Sequence, residues 1–404
     1  MRPLEGIRIL DLSRVFAGPW ATQMLGDLGA EVIKVERPGG VGDEMRAYGP
    51  PFLRDKDGND TNESPQYLAA NRNKKSITID FTNPRGQEII RTLAKKSDVL
   101  VENYKVGDLA RFELDYQSLA PSCPNLIYLS LSGFGQTGPR AKSPALDGLL
   151  QAFSGIMSVT GESDGMPQRV GTIVNDFSAG MYAAIGILAA LRHRDTNGGS
   201  GQFIDLSLMD ASIALVSPMT MVYLATGNLP ERTGNVSYGS APAQTFKCAD
   251  GYISVQAGSD DQFRRLCHAM DLQELLENPL LKTRPLRFTH RDKFIPMLEE
   301  IFLQKPVAHW IDILSEAGVM NCKVNNVREA VEDEQVRHRG TVVEIEHPLS
   351  GSLKIVRNPL RMSKTPLDDY TPPPYSGQHT REILRDILSL SDEEINEVIA
   401  SGAV

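Results

Sequence analysis

The sequence predicts an α/β protein built on a parallel β-sheet. Between residues 7 and 132, short runs rich in Ile, Val and Leu alternate with segments of helical periodicity. Strands that alternate with helices are joined by crossover connections, which leave neighbouring strands parallel. The chain has 404 residues, of which 41% are hydrophobic and 23% are charged. This length suffices for two or three domains of about 150 residues each.

The predicted elements follow one another in a regular order. A strand–loop–helix–strand unit spans residues 7–36, and three more strands follow, with a helix over 85–96. A long helix of mostly small residues over 177–191 precedes a glycine-rich turn and a further strand. The segments that carry these elements are IRILDLS, WATQMLGDLG, AEVIKVE, SITIDF, DVLVENY, LIYLSLS and QFIDLSL.

The pattern changes twice along the chain, and these changes predict the domains. Residues 1–224 are expected to form the first part of a large α/β domain, and residues 225–325 a smaller α+β domain. Residues 326–404 should return to the large domain. Their segments are a hairpin, an extended strap with the sequence TPPPYSGQHT, and a last helix with a capping box of Ser391 and Glu394.

Composition narrows the classes of function. The net charge of −9 argues against nucleic acid as a partner. The longest apolar run, Phe177–Leu191, is shorter than the ~20 residues of a membrane span. Four cysteines lie apart without CxxC spacing, and the seven histidines form no HExxH motif. We therefore expect a cytoplasmic protein with no disulfide framework, no metal site and no membrane partner.

One carboxylate stands out in the segment RVGTIVNDFSAGMYAAIGILAAL. Asp176 lies where a β-branched run meets the helix of small residues. Two interpretations are open and compatible. Asp is a favoured helix N-cap, and a carboxylate that is held ionised near a helix N-terminus can act as a covalent nucleophile.

The first strand–helix crossover resembles a dinucleotide-binding unit, but its loop argues against one. The loop contains one glycine, Gly18, where GxGxxG requires three, and Pro19 lacks a backbone N–H. Basic residues near predicted strand ends favour a polyphosphate ligand, although the sequence contains no P-loop motif. They are Lys34, Arg37, Arg72, Lys74, Lys75, Lys105 and Arg111.

Eight segments together resemble the class III coenzyme A transferases. They are PLEGIRILDLSRVFAGP, LGDLGAEVIKVERPGG, NRNKKSITID, DVLVENY, LSGFGQTGP, VGTIVNDFSAGMYAAIGILAAL, GQFIDLSLMDA and GQHT. They occur in the family's order between residues 3 and 379. The resemblance is strongest to members that move CoA between dicarboxylates. It implies a Rossmann-like large domain, a small domain and an interlocked homodimer of ring-like subunits.

The resemblance also implies a mechanism and a set of site residues. Asp176 would attack an acyl-CoA thioester and pass through anhydride and aspartyl-CoA intermediates to a free carboxylic acid. The CoA thioester is then a substrate, and no cofactor is permanently bound. The implied CoA contacts are Arg37, Arg72, Lys75, Asn103, Tyr104 and Arg111. Phe16 is implied near the substrate, and Arg46 and Arg169 are assigned to a substrate carboxylate or, alternatively, to surface ion pairs.

Two departures refine the expected activity. The formyl-CoA members carry Gln where this chain has Phe16, and their glycine-only loop is replaced here by TGNVSYGSAPAQ. Both differences favour an acid larger than oxalate. The family also includes 2-methylacyl-CoA racemases, which place a His before an Asp where this chain has Leu146 and Asp147. A racemase is the alternative activity, although it would lack one of its two bases.

Overall fold

The computed structural model describes residues 2–40 and 42–404, and it divides the chain into two compact units. The first unit comprises Met1–Ile156, Val170–Met221 and His338–Val404. The second comprises Met157–Arg169 and Val222–Arg337. The sequence placed the corresponding boundaries near residues 225 and 325. The short segment 157–169 also belongs to the second unit, although the chain enters and leaves it from the first.

A six-stranded parallel sheet forms the centre of the first unit. Its strand order is β3-β2-β1-β4-β5-β6, so the order reverses between β1 and β4, which pair directly. This is the order of a Rossmann-like sheet, as the resemblance implied. The strands are β1 Arg8–Asp11, β2 Glu31–Glu36, β3 Lys74–Thr78, β4 Val99–Glu102, β5 Ile127–Ser132 and β6 Phe203–Ser207.

Helices cover both faces of this sheet. One hydrophobic core lies between the sheet and the helices that include α3 and the C-terminal α17, and a second lies against α1, α6 and α7. The helices are α1 Ala17–Asp27, α2 Pro65–Ala70, α3 Pro84–Lys95, α4 Tyr116–Leu119, α5 Asp147–Phe153, α6 Val174–Thr196, α7 Leu208–Leu215, α8 Ser217–Thr226, α16 Thr380–Glu382 and α17 Asp392–Ala400. Short 3-10 turns span Glu44–Ala47, Leu109–Phe112 and Met157–Val159, and a π-turn spans Ile383–Ile387.

The second unit is an α+β domain with its own core. Its three strands pair antiparallel, and aromatic side chains such as Phe246 and Phe302 fill the space between sheet and helices. The elements are β7 Ala243–Lys247, β8 Tyr252–Gln256, β9 Asn321–Lys323, α9 Asp260–Ala269, α10 Gln273–Glu277, α11 Arg284–Thr289, α12 Ile295–Leu303, α13 Val307–Glu316, α14 Val327–Glu332 and α15 Glu334–His338. A further 3-10 turn spans Arg291–Lys293.

The helix of small residues, α6, is a core helix of the first unit. It meets the length and hydropathy requirements of a membrane span, but Ala179, Ala183 and Ile187 are fully buried. Small side chains allow α6 to approach α1 closely. A Cβ added to Gly180 would lie 2.8 Å from the Ala17 carbonyl oxygen and 2.9 Å from the Trp20 ring.

The C-terminal segment closes the exposed edge of the sheet. It contains the predicted hairpin, with β10 at Val342–His347 and β11 at Gly351–Val356. The strap then runs along the edge strand β3. The Ser76 amide donates to His379 Nδ1, and the His379 amide donates to the Ser76 carbonyl. His379 therefore orders the strap, and Ser391 and Glu394 form the predicted capping box.

Candidate active site

The loop between β1 and α1 is tightly constrained. A side chain at Gly18 would collide with Ser13, and Pro19 lies in the first turn of α1. Val15 has a φ of +67°, which is rare for a β-branched residue. Such backbone strain concentrates at functional sites. This loop places Arg14 and Phe16 at the carboxyl end of the sheet, on either side of Val15.

Asp176 lies in the first turn of α6, but it is not the N-cap. The N-cap is Ile173, which makes no side-chain capping hydrogen bond, so the capping interpretation is wrong. Asp176 instead lines a cavity of about 410 Å³ at the carboxyl ends of the central strands. The wall also contains Phe16, Asn103 and Tyr104, together with Arg14, Lys105, Ser132, Lys142 and Asp147.

Burial raises the pKa of Asp176 to about 7, and the charge of nearby Asp147 adds to this effect. The sequence predicted the opposite direction, because a helix N-terminus favours the ionised form. Desolvation outweighs that effect here. Asp147 accepts hydrogen bonds from Gln151 Nε2 at 2.7 Å and from the Asn175 amide at 2.9 Å. A carboxylate that ionises near neutral pH in a confined cavity is suited to acid–base or nucleophilic work.

Three aromatic rings, Phe16, Trp20 and Phe177, pack against one another near the Asp176 cavity. Phe16 is 3% exposed, and its ring stacks on Trp20 with centroids 5.8 Å apart. Both rings contact the edge of Phe177, which follows Asp176 directly, at 4.9 Å. Of this cluster, Phe16 forms part of the wall of the Asp176 cavity.

A second cavity of about 240 Å³ lies at the ends of β2 and β3. Arg37 and Arg111 line it, and Phe81 packs edge-on against Tyr104 and Phe112 in its wall. We call this space the Arg37 cavity. Arg14 and Tyr104 line both it and the Asp176 cavity, so the two cavities meet at these side chains.

Two of the basic residues implied as CoA contacts lie near the amino end of β3, away from the carboxyl ends of the strands where the two cavities lie. Arg72 precedes β3, is buried and forms a two-point ion pair with Asp27. Lys75 is the second residue of β3 and pairs with Glu31 and Glu382. The spacing of basic residues indicated a strand end but did not distinguish the amino end from the carboxyl end.

Other predicted cations also have internal partners. Lys34 and Lys74 are fully buried within their strands, where Lys34 pairs with Asp43 and Lys74 with Asp11. They are core ion pairs rather than ligand-binding groups at strand ends. Their charges are neutralised inside the protein.

Arg46 does not line the Asp176 cavity as the structure describes it. Its guanidinium is 4% exposed and contacts Glu36 at 2.7 Å and Glu63 at 2.5 Å, and it also donates to Tyr67. All three of its nitrogens are engaged. Arg169 is exposed and belongs to the second unit.

The structure adds Arg14 and Lys142, which sequence reasoning did not single out for the site, and it places Lys105 of the predicted basic cluster in the same cavity. Arg14, Lys105 and Lys142 supply positive charge in the Asp176 cavity, where Arg46 was expected to do so. Arg14 lies in the loop RVFAGP, and the glycine and proline of this loop were the sequence signal that could have pointed to Arg14 as a site residue. Within residues 2–40 and 42–404, no group of three or more His, Cys, Asp or Glu side chains is arranged to hold a metal ion.

The sheet order and the two cavities define an α/β fold that binds ligands outside the carboxyl ends of its strands. Comparison with known proteins identifies the family. The model of CoA-transferase family III matches residues 4–380. The chain therefore belongs to CoA-transferase family III and is a transferase enzyme.

Individual relatives cover nearly the whole chain. It is 41% identical to human succinyl-CoA:glutarate CoA-transferase over 404 residues, which is 100% of this chain and 90% of that protein. It is 39% identical to succinate–glutarate CoA-transferase of Agrobacterium fabrum, over 96% of each chain. A solved CAIB/BAIF family protein from Brucella suis is 37% identical, with a TM-score of 0.87, and the match covers 96% of this chain and 99% of that one.

Proposed function

We propose that this enzyme transfers CoA between dicarboxylic acids and that Asp176 is its nucleophile. The observation that carries the proposal is that two cavities share Arg14 and Tyr104 in their walls, so that the Asp176 cavity lies next to a space of about 240 Å³ lined by Arg37 and Arg111. The relatives named above act on succinyl-CoA and glutarate. Both acids carry a second carboxylate, for which Lys105 and Lys142 provide cations in the wall of the Asp176 cavity.

The proposed reaction keeps the thioester energy at every step. The Asp176 carboxylate attacks the thioester carbonyl, which releases CoA thiolate and leaves a mixed anhydride. The thiolate then attacks the aspartyl carbonyl, and the first acid leaves. The second acid attacks this aspartyl-CoA thioester, so that a second anhydride forms and the thiolate is released again. The thiolate finally attacks the acyl carbonyl of the new acid, which frees Asp176.

The cavity contributes to this sequence by limiting water. Water would hydrolyse the anhydrides and the aspartyl thioester, and the energy would be lost. Phe16, which packs on Trp20 and Phe177, supplies an apolar part of the wall of the Asp176 cavity. Because the pKa of Asp176 is about 7, a large fraction of the carboxyl groups is ionised and able to attack at neutral pH.

The proposed CoA contacts are the residues at the carboxyl ends of the strands. Arg37 and Arg111 line the cavity that would receive the nucleotide, and Asn103 and Tyr104 line the passage toward Asp176. Arg72 and Lys75 are omitted because they form ion pairs near the amino end of β3. Arg46 is assigned an internal role, since every nitrogen of its guanidinium has a partner.

We also infer a cytoplasmic homodimer with interlocked subunits, without a nucleic-acid or membrane partner. Four large apolar side chains on α6, namely Met181, Tyr182, Ile185 and Leu188, are 36 to 60% exposed. A second copy would cover such a surface. Light scattering of the purified chain should give twice the mass of one 44.4 kDa chain. A single-chain mass at micromolar concentration would contradict the dimer.

The test of the catalytic proposal is Asp176→Asn in an exchange assay with succinyl-CoA and glutarate. We expect loss of exchange while circular dichroism and thermal unfolding show a folded protein. Treatment of the wild type with succinyl-CoA and hydroxylamine should trap a hydroxamate at Asp176. Exchange at the wild-type rate in the variant would refute the nucleophile. Solvent deuterium uptake by 2-methylacyl-CoA without an acceptor acid would instead favour the racemase.

A further inference from the structure

Arg14 lies where the two cavities meet. Of the residues that line the Arg37 cavity and those that line the Asp176 cavity, the structure assigns only Arg14 and Tyr104 to both. The side chain of Arg14 is 30% exposed, so it is accessible from the cavities while most of it is covered. Any ligand that extends from one cavity to the other must pass these two side chains.

The guanidinium of Arg14 is held in place by its surroundings. Its Nη1 donates to Glu44 at 2.7 Å, and its Cζ lies 4.4 Å from the centre of the Tyr104 ring. The Arg14 amide donates to Asn103 Oδ1 at 2.8 Å, and Asn103 Nδ2 donates to the Arg14 carbonyl at 2.7 Å. These contacts fix both the backbone and the side chain. They reduce the conformational entropy that Arg14 would lose when it binds a ligand.

One donor of this restrained group is unused. Nε of Arg14 is buried and has no hydrogen-bond partner among the described residues. A buried donor without a partner is costly. The loop is also strained at the next residue, Val15, whose amide donates to Asp43. An orphaned donor beside a strained backbone, in the wall of two cavities, indicates a position arranged for a ligand.

We propose that Arg14 binds the diphosphate of the CoA substrate at the point where the bound CoA extends from the Arg37 cavity into the Asp176 cavity. The inference rests on the proposed function, in which the nucleotide lies in the first cavity and the thioester in the second. The diphosphate carries the anionic oxygens between them. A guanidinium matches phosphate oxygens with two parallel donors. The side chain of Arg14 is partly exposed in the walls of both cavities, and its Nε has no competing partner among the described residues. Glu44 acts as a positioning residue, since it orients the guanidinium through Nη1.

The test compares Arg14→Gln with wild type in calorimetric titrations against three probes. These are CoA, adenosine 3′-phosphate 5′-diphosphate, and pantetheine, which lacks both nucleotide and diphosphate. The Kd for CoA and for the nucleotide probe should rise about 10- to 100-fold, as expected for a lost charge-assisted hydrogen bond. The Kd for pantetheine should not change. Arg85→Gln removes a charge from a surface ion pair with Glu88 and is the matched control.

A second variant tests how Arg14 is held. Glu44→Gln should weaken nucleotide binding less than Arg14→Gln does, and it should have no further effect in the Arg14→Gln background. Equal effects of Glu44→Gln in both backgrounds would contradict the positioning role. Thermal unfolding of each variant verifies that the loop still folds.

The outcomes distinguish this inference from the proposed function. If wild type binds CoA and Arg14→Gln binds it equally well, Arg14 is not a diphosphate ligand. If the variant loses affinity for pantetheine as strongly as for the nucleotide probe, the substitution has altered the cavity and the inference is wrong. If wild type does not bind CoA, the proposed function fails, and the inference fails with it.

Discussion

The carboxylate of Asp176 should lower the stability of the protein that carries it. Its pKa is about 7 in the folded chain, compared with an ordinary value of 3.8. A carboxyl group with a raised folded-state pKa binds its proton more tightly in the folded than in the unfolded state. Folding therefore becomes less favourable as the pH rises above 3.8, and the loss is complete above about pH 7. Asp176→Asn removes the ionisation and its cost.

The magnitude follows from the two pKa values. One pKa unit corresponds to about 1.4 kcal/mol, so the difference of roughly three units gives an upper bound of about 4 kcal/mol at pH 8. At pH 5 the same values give between about 1 and 2 kcal/mol, and at pH 3 they give about zero. We therefore expect Asp176→Asn to be more stable than wild type at pH 8, with a gain that disappears on acidification.

The assay is urea unfolding at pH 5, 6.5 and 8, followed by tryptophan fluorescence. The chain has two tryptophans, Trp20 beside the Asp176 site and Trp310 in the second unit. A Trp310→Phe background leaves Trp20 as the reporter of the first unit. Asp57→Asn, at an exposed position of the first unit, is the control. A difference between Asp176→Asn and wild type that is constant with pH, or a less stable variant at pH 8, would refute the reasoning.

Three further predictions use the same geometry. The kcat/KM of exchange should fall below about pH 7 as one proton binds to Asp176. Asp147→Asn should move this fall to lower pH, because the charge of Asp147 is the second cause of the raised pKa of Asp176. A pH profile that Asp147→Asn leaves unchanged would contradict the coupling. Gly180→Val should destabilise the chain by about 1–3 kcal/mol through overpacking against α1, measured by thermal unfolding. Gly186→Ala, where the nearest atom to an added Cβ is 3.8 Å away, should not. Ser391→Ala should cost about 1 kcal/mol by removing an N-cap, and an unchanged unfolding midpoint would contradict the capping box.

Local patterns predicted much of the fold. The alternation of strands and helices, the capping box at Ser391 and the strap that is ordered by His379 all depend on neighbours close in sequence or on one exposed strand edge. The sequence also predicted a helix of small residues over 177–191, and Gly180 of α6 lies in close contact with α1. These features follow from backbone hydrogen bonding and side-chain size, which a sequence displays directly.

The sequence did not distinguish the two ends of a strand or the inside from the outside of the sheet. Arg37 and Lys75 both lie near strand ends in the sequence, yet Arg37 follows the carboxyl end of β2 and Lys75 lies near the amino end of β3. Lys34, Lys74 and Arg46 look like surface cations, but carboxylates that lie between 9 and 63 residues away in the sequence neutralise them within the protein. Which charges remain available to a ligand is therefore decided by pairing across the fold.

The sequence by itself determined the family and the parallel α/β architecture, and it singled out Asp176 as the candidate nucleophile. Tertiary structure decided the chemical state of that carboxylate. Its place in the first turn of α6 is visible in the sequence, but the burial and the nearby Asp147 that raise its pKa to about 7 are not. Tertiary structure also decided that Arg14, rather than Arg46, lies where the two cavities meet. Desolvation and charge pairing depend on the three-dimensional surroundings of a group, so they emerge only when the chain is folded.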